Sequence, residues 1–507
     1  MKQNKVITQI AVILAIIITV NLISGQIYLR LDFTADKRYT LSQATRDILD
    51  DLNDVITVKA YYSKDLPPQL LNEKKDFNDM LIEYEKRSGS NILFEFINPN
   101  ENEQEETKAQ QAGINPIMVN VTERDQVKQM RAYMGAVLQM GEKTEVIPVL
   151  RPGAGMEYEL TTAIKKLSVN EKPKVAFIQG HGEPSMYASA QVVQALSVLN
   201  TVEEYTLTDS ALIPSTYKTI VIINPEDTIP APHFRILDTY LAGGGNIFIA
   251  FNPLQADLSR AYLGSSIDIG LREWLQGKGI TINDFYLVDA TCGSVQVRQQ
   301  QGPFIMNTQV SFPYFPVIGK FADHAAVKGI ESLFLPFASS ITYLPVDSMM
   351  VIEPLAFTSD NTGMVTAPNF IDINKEWSEN DFKLGSQVVA VAATGPLGGK
   401  ATSSARMIVV ANGSYAIGGS GQQSQQVSQD NVNFEVNAID WLSDDTGLNS
   451  LRTKGVTNRP LEQVDDTKRN LIKYLNAFLP VALVLMIGVV RRQQYLKKKQ
   501  KWIEGNY

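Results

Sequence analysis

The stretch Gly180-His181-Gly182-Glu183 holds the residues whose types and spacing could do chemistry most directly. An imidazole and a carboxylate two residues apart can serve as a general base and its partner, as in a hydrolase. The two flanking glycines equally suit a tight bend at the end of a strand, where positive φ is needed. The run is not a dinucleotide fingerprint, because the third glycine and the ribose-binding acid are missing. A nucleophile elbow should follow a core strand. After the apolar run 219–224 come Pro225 and Glu226, with no Ser or Cys at the turn. Cys292 has no His near it in sequence and reads as a structural thiol. Gly395-Pro396-Leu397-Gly398-Gly399-Lys400 approximates a phosphate loop but is one residue short and lacks Ser or Thr after the lysine. Nucleotide hydrolysis must therefore belong to another chain. One cysteine excludes an intramolecular disulfide and any multi-cysteine metal site, and the three histidines, His181, His233 and His324, show no metal-ligand spacing. The residues give no catalytic group, metal ligand or cofactor site. Gly180, His181, Gly182 and Glu183 stand as a candidate ligand crevice.

That crevice needs a strand before it and a sheet around it. Residues 174–179 read as a short buried strand, 188–199 as a helix and 202–207 as a strand. The continuous apolar run 219–224 suits the middle of a parallel sheet. Residues 232–242 read as a helix closed by three glycines, leading to a strand at 246–251. Alternation of this kind predicts an α/β, doubly wound sheet, which the strand at 407–411 should rejoin. Recurrent proline at 303, 313, 316, 336 and 345 predicts irregular loops between short strands over 265–400. A helix is expected over 430–442. Upstream, strands at 56–62, 92–97, 117–121, 131–140 and 142–149, with helices at 67–87 and 101–111, give the β-α-β-α-β-β order of a thioredoxin-like domain. The chain has no CxxC, so redox chemistry of that kind is excluded. A further helix at 157–167 should connect the two domains.

Both ends of the chain are apolar. Residues 471–490 would extend roughly 30 Å as a helix, the thickness of a bilayer's hydrocarbon core. Arg491, Arg492, Lys497, Lys498, Lys499 and Lys501 follow and predict a cytoplasmic tail. Residues 6–23 are a second apolar run after Lys2 and Lys5. It is too long for the core of a cleaved signal peptide and lacks a good cleavage site. Two spans place both termini in the cytoplasm and roughly 440 residues on the far side of the membrane. Residues 6–490 carry a net charge of about −15, which argues against nucleic acid and against adhesion to anionic lipid heads. The expected organisation is then 1–29 with the first span, 30–155 thioredoxin-like, 156–450 α/β with the insertion 265–400, a linker 451–470, the closing span 471–490 and the basic tail 491–507. Within the closing span, Asn476, Ala477, Pro480 and Gly488 break a bulky surface. Small and polar positions in a span mark helix contacts, so Asn476, Pro480 and Gly488 are candidate contacts with a partner helix.

Asp32-Phe33-Thr34-Ala35-Asp36-Lys37-Arg38-Tyr39-Thr40-Leu41-Ser42, just after the first apolar run, resembles the signature of the GldG family. Phe94-Glu95-Phe96-Ile97-Asn98-Pro99, Gly180-His181-Gly182-Glu183, and Asp430-Asn431 with Phe434, Asn437, Trp441 and Leu442 extend the likeness over nearly the whole chain. These are gliding-motility-associated subunits of an ABC-type transport system in Bacteroidota. The resemblance implies a middle domain similar to class I glutamine amidotransferases without the catalytic cysteine. It also implies partners, namely a multi-span permease and, through it, a cytoplasmic ATPase, with no cofactor. The reading that follows is a non-enzymatic, double-anchored subunit of the inner membrane, its main domains periplasmic. A membrane-tethered receptor for a small solute in the Gly180–Glu183 crevice is the alternative. A crevice filled by the protein itself would favour the first, and an open pocket with convergent polar groups the second.

Overall fold

The computed structural model describes residues 40–443 apart from 65, 124–125, 151–154, 169–171, 302–303, 400–403 and 420–424, and beyond them 473, 474, 476, 478–479 and 485–497. The chain divides into two compact units, Met1–Val456 and Thr457–Tyr507.

In the first unit, β1 (Ile56–Tyr62) pairs in parallel with β2 (Ile92–Ile97) after the helix α2 (Pro68–Arg87). The β3 (Ile117–Glu123) and β4 (Gln126–Ala132) hairpin stands apart as its own sheet. β5 (Met134–Met140) and β6 (Lys143–Ile147) then complete a four-stranded sheet in the order β2-β1-β5-β6, antiparallel across its second half. The single strand expected over 131–140 is thus two, separated at Tyr133. Tyr133 is buried, its N–H donates to Ser63 Oγ (2.9 Å) and its hydroxyl to Glu106 Oε1 (2.8 Å) on α3 (Glu103–Gln111). The apolar run Ala132-Tyr133-Met134 hides this corner, because a corner and a strand bury the same residue types. α1 (Gln43–Asp50), capped by Ser42, and α4 (Gly155–Ser168) pack on the same core through Ile48, Leu49, Leu160 and Ile164.

α4 also carries a buried carboxylate. Glu157 Oε1 accepts from Ser42 N–H (2.7 Å) and Thr45 Oγ1 (2.8 Å), clamping the chain where it comes into the first core.

The larger sheet has eight strands. β7 (Lys174–Gln179), β8 (Thr201–Thr206), β9 (Tyr217–Ile223) and β10 (Asn246–Ala250) are joined by β11 (Lys320–Phe321), β12 (Val351–Phe357), β13 (Val388–Gly395) and β14 (Ala405–Val410) in the order β11-β12-β13-β14-β10-β9-β7-β8. The five strands from β14 to β8 are parallel, and β11 to β13 add an antiparallel edge. α5 (Ala190–Leu196) and α8 (Gln429–Ser443) cover one face through Val192, Leu196, Phe434 and Ile439, and α6 (Ala231–Ala242) the other through Ile236, Leu237 and Leu241. A short helix, α7 (Leu271–Gln276), packs on the same side as α6. Helices on both faces make the sheet doubly wound.

Residues 265–400 are far more regular than their prolines suggest. They supply three strands of the large sheet and a long hairpin, Cys292–Gln301 with Phe304–Ile318. Pro354 lies inside β12 at a register shift, where a missing N–H is tolerated. β13 reads VVAVAATG, small and apolar on both faces, so no alternation marks it as a strand.

In the second unit the described residues are helical and exposed. Among the described residues no helix is long and apolar enough to cross a membrane. The apolar run 6–23 lies outside the described residues and 471–490 is described only in part. Asn476 and Gly488 are helical and exposed, whereas Ala477 and Pro480 lie outside the described residues.

Replacing Glu157 with Ala strips the acceptor from a half-buried N–H and a buried hydroxyl. Glu157→Ala should cost about 2–3 kcal/mol of unfolding free energy in urea titration, and Glu157→Gln, which keeps one acceptor oxygen, clearly less.

Candidate functional site

β7 and β9 are neighbours, β8 lies beyond β7, and β10 lies beyond β9. The strand order therefore reverses between β7 and β9, and the crevice at their carboxyl ends is where doubly wound proteins bind ligands. Gly180-His181-Gly182-Glu183 leaves β7 at this point. Gly180 (φ 118°) and Gly182 (φ 79°) take conformations that side chains avoid. A Cβ on Gly182 would lie 3.1 Å from Asp227 Oδ2, so the turn is pressed against the chain leaving β9.

Each polar atom of His181 is used within the protein. Its N–H donates to Glu183 Oε2 (2.6 Å) and its Nδ1 meets Glu183 Oε1 (3.0 Å). Its carbonyl accepts from the N–H groups of Glu226 (3.0 Å) and Asp227 (2.8 Å). Its Nε2 meets Nδ1 of His233 on α6 (2.8 Å), and His233 Nε2 meets Asp209 Oδ1 (3.2 Å) at the surface. The result is a line of four groups, Glu183, His181, His233 and Asp209. With both carboxylates ionised, its three contacts are all hydrogen bonds when the two rings together hold three protons. The His181 imidazole and the Glu183 carboxylate are buried, and the His233 ring reaches the surface at its edge beside Asp209.

At the end of β9, Asn224 stands at the turn with φ 44°, the sharp geometry that would expose a nucleophile. An amide is not a nucleophile, and this one is engaged. Asn224 Oδ1 accepts from the Asn252 N–H (3.4 Å) and side chain (3.3 Å) after β10, and Asn252 Oδ1 accepts from Gly413 N–H (3.1 Å) after β14. A Cβ on Gly413 would lie 2.4 Å from Asn224 Oδ1, so glycine is required there. Asn224 directly follows β9, and Asn252 and Asn412 each stand two residues beyond the end of a parallel strand. The repeated Asn-Pro or Asn-Gly after an apolar run was the available signal for them. His233 and Asp209 carried no such signal, since only the fold brings them to His181.

The other sequence candidates fall elsewhere. Cys292 begins the long hairpin, half-buried, and burial raises its thiol pKa, which makes it less reactive. In the loop resembling a phosphate cradle, a Cβ on Gly398 would lie 2.2 Å from Ala242 N, so that glycine serves packing against the end of α6. Among the described residues no group of His, Cys, Asp or Glu could hold a metal ion.

The motif on α8 is buried and structural. Asp430 Oδ2 accepts from Glu331 and Ser332 N–H (3.2 and 3.0 Å). Asn431 accepts from Phe334 N–H (2.9 Å) and donates to the carbonyls of Phe334 (2.8 Å) and Tyr415 (2.7 Å). Asp440 accepts from Asn200 Nδ2 (2.9 Å). Glu435 is fully buried beside Tyr415, and burial pushes its carboxyl pKa up from 4.5 to about 8.

The carboxyl edge is thus closed by the protein's own hydrogen bonds, with Asn224 standing where an elbow nucleophile would. Residues 172–444, more than half of the chain, match the ABC-transporter auxiliary family, described as an ABC-type uncharacterized transport system. The chain belongs to that family, which makes it a non-catalytic auxiliary subunit associated with an ABC transporter. Residues 35–139 match a domain of unknown function. A Borreliella burgdorferi protein described only as uncharacterized is 22% identical over 358 residues, 68% of each chain. Among solved structures, the IFT52 N-terminal domain is similar at 14% identity and TM-score 0.35, over 54% of this chain and 98% of that one. A ThuA-like protein from Parabacteroides merdae is similar at 12% identity and TM-score 0.28, over 58% and 94%.

Glu435 gives a pH test. Folded, it keeps a proton that the unfolded chain releases above its ordinary value, so stability falls as pH rises from about 4.5 through about 8, by up to ~1.4 kcal/mol per pH unit. Glu435→Gln removes that slope. Urea titrations at pH 5 and pH 8 should show the variant gaining on the wild type at the higher pH, with little difference at the lower.

Proposed function

We propose that the chain is the membrane-tethered, extracytoplasmic subunit of an ABC-type transport complex, bound to a multi-span permease and through it to a cytoplasmic ATPase. The observation that carries this reading is the sealed carboxyl edge. Where a receptor would open a pocket, His181 O is taken by Glu226 and Asp227, and the asparagines bind one another. The crevice is occupied by the protein, which favours a coupling part over the solute receptor.

The finer parts of the proposal have separate support. The order β2-β1-β5-β6, one parallel pair followed by two antiparallel pairs and a closing helix, supports a thioredoxin-like first domain without redox chemistry. The turn at Asn224 in place of a nucleophile supports an amidotransferase-like second domain without its cysteine. The apolar runs 6–23 and 471–490, with the basic residues after 490, support two spans of the inner membrane and cytoplasmic termini. Asn476, Pro480 and Gly488 are proposed as permease contacts. Association with gliding motility in Bacteroidota rests on the resemblance at residues 32–42.

Purification of the intact protein in mild detergent should recover a permease and an ATPase with it. His181→Ala, Glu183→Gln and Cys292→Ser, each folded, should leave the ATPase rate of that complex nearly unchanged. A folded variant that loses on the order of 10³-fold, as loss of a catalytic group does, would restore an enzyme. A reporter fluorescent only in the cytoplasm, fused after Tyr507, should be bright. A dark, expressed fusion would overturn the topology.

A further inference from the structure

The amino edge of the large sheet differs in character from the sealed carboxyl edge. Pairing aligns Val351 with Thr394 and Thr394 with Arg406, while Asn246 aligns with Thr219, and Lys174 with Tyr217 and Thr201. Arg406 N–H donates to Asn246 Oδ1 (2.8 Å) and closes the line. The starts of β12, β14, β10, β9, β7 and β8 and the end of β13 therefore share one edge, about 30 Å long at the usual strand spacing.

At one end of this edge lies the loop 344–351. Leu344 N–H donates to Gly279 O (2.8 Å). A Cβ on Gly279 would lie 2.1 Å from Leu344 O, and one on Gly395 would lie 2.7 Å from Met349 O, so the loop is seated on two glycines. Met350 is buried as its anchor, while Leu344, Val346, Met349 and Val351 are 76%, 61%, 53% and 55% exposed. Exposed apolar residues scattered singly need no explanation. Four within eight residues, on a backbone held this closely, present a binding surface.

At the other end, Lys172, Lys218 and Ser443 border an open depression of about 670 Å³. Lys174 is held by Glu203 (2.8 Å), whereas Lys172 reaches only a carbonyl, that of Ser197 (2.9 Å). The α/β region begins here, at Lys172, and its last helix ends here, where Ser443 Oγ meets Thr219 Oγ1 (2.8 Å). The apolar stretch 471–490 begins after 27 further residues.

We propose that this amino edge faces the bilayer, with Leu344, Val346, Met349 and Val351 seated in its interfacial region and Lys172 and Lys218 at headgroup level. This rests on the reading that the chain is membrane-tethered. An exposed loop with four apolar side chains at one end of the edge and long cationic side chains at the other have the chemistry of an interfacial contact, since the apolar tips leave water while the ammonium groups stay in it. The net negative charge of the region does not oppose this, because the apolar loop carries the contact and needs no anionic lipid.

The test uses the full chain with Cys292→Ser, carrying either Met349→Cys or Tyr187→Cys. Tyr187 is 80% exposed and lies beyond the carboxyl end of β7. Each variant is labelled with an environment-sensitive fluorophore and reconstituted into phosphatidylcholine–phosphatidylglycerol vesicles containing lipid-borne quenchers. The probe at 349 should shift to the blue and be quenched several-fold more strongly than the probe at 187. Equal quenching at both positions, or none at 349, in protein that floats with the vesicles overturns the membrane-facing edge and leaves the tether standing. Protein that does not float overturns the tether and this inference with it. If 349 is shielded from labelling in native membranes yet unquenched in vesicles, the edge meets a protein partner, and the lipid contact is wrong.

Discussion

The α/β region depends on one buried amide. Asn431, at the start of α8, accepts from one backbone N–H and donates to two backbone carbonyls, joining the segment at Phe334 to the chain leaving β14 at Tyr415. A buried backbone group without a partner costs about as much as a lost hydrogen bond. Three such groups converge on one side chain that no other residue type reproduces. Asp430 fastens the residues just before Phe334, and Asp440 holds the far end of the helix to Asn200. Polar side chains thus fix where α8 lies, and Phe434, Val436 and Ile439 supply the apolar contact that makes the position stable.

The same economy governs the carboxyl edge. In a doubly wound enzyme the strand ends present side chains to a ligand. Here they present side chains to one another. His181 is held by Glu183 and His233, Asn224 by Asn252, and Asn252 by Gly413. These groups stay at the switch point with their hydrogen-bonding capacity spent internally, which gives rigidity where an enzyme keeps an opening. Membership of an ABC-transporter auxiliary family accords with that use of the fold.

Much of this architecture was legible in the residues. β7, β9, β10 and β14 are continuous apolar runs bounded by Gly, Pro or Asn, and buried parallel strands read that way. Gly180 and Gly182 announced their turn. The remainder was hidden for physical reasons. The corner at Tyr133 buries an aromatic ring as a strand would. β12 contains a proline that only a bulge excuses, and β13 is too uniformly small and apolar to alternate. Asn224 looked like the last residue of a strand, yet its φ of 44° places it on the turn. The partners of His181 beyond Glu183 come from a helix and a loop that only tertiary packing brings near, so spacing could not reveal them.

The chain comes into the α/β region at the foot of β7 and leaves from the end of α8, and both points lie on the amino edge. β7 is flanked by β8 and β9 along its length. A pull between two points on the same edge runs across the strands, so it loads the contacts at that edge, such as Ser443 Oγ to Thr219 Oγ1, before any ladder is sheared along its length. The rest of the sheet, with its carboxyl edge, lies off the line of force and keeps its shape while the two attachments are strained.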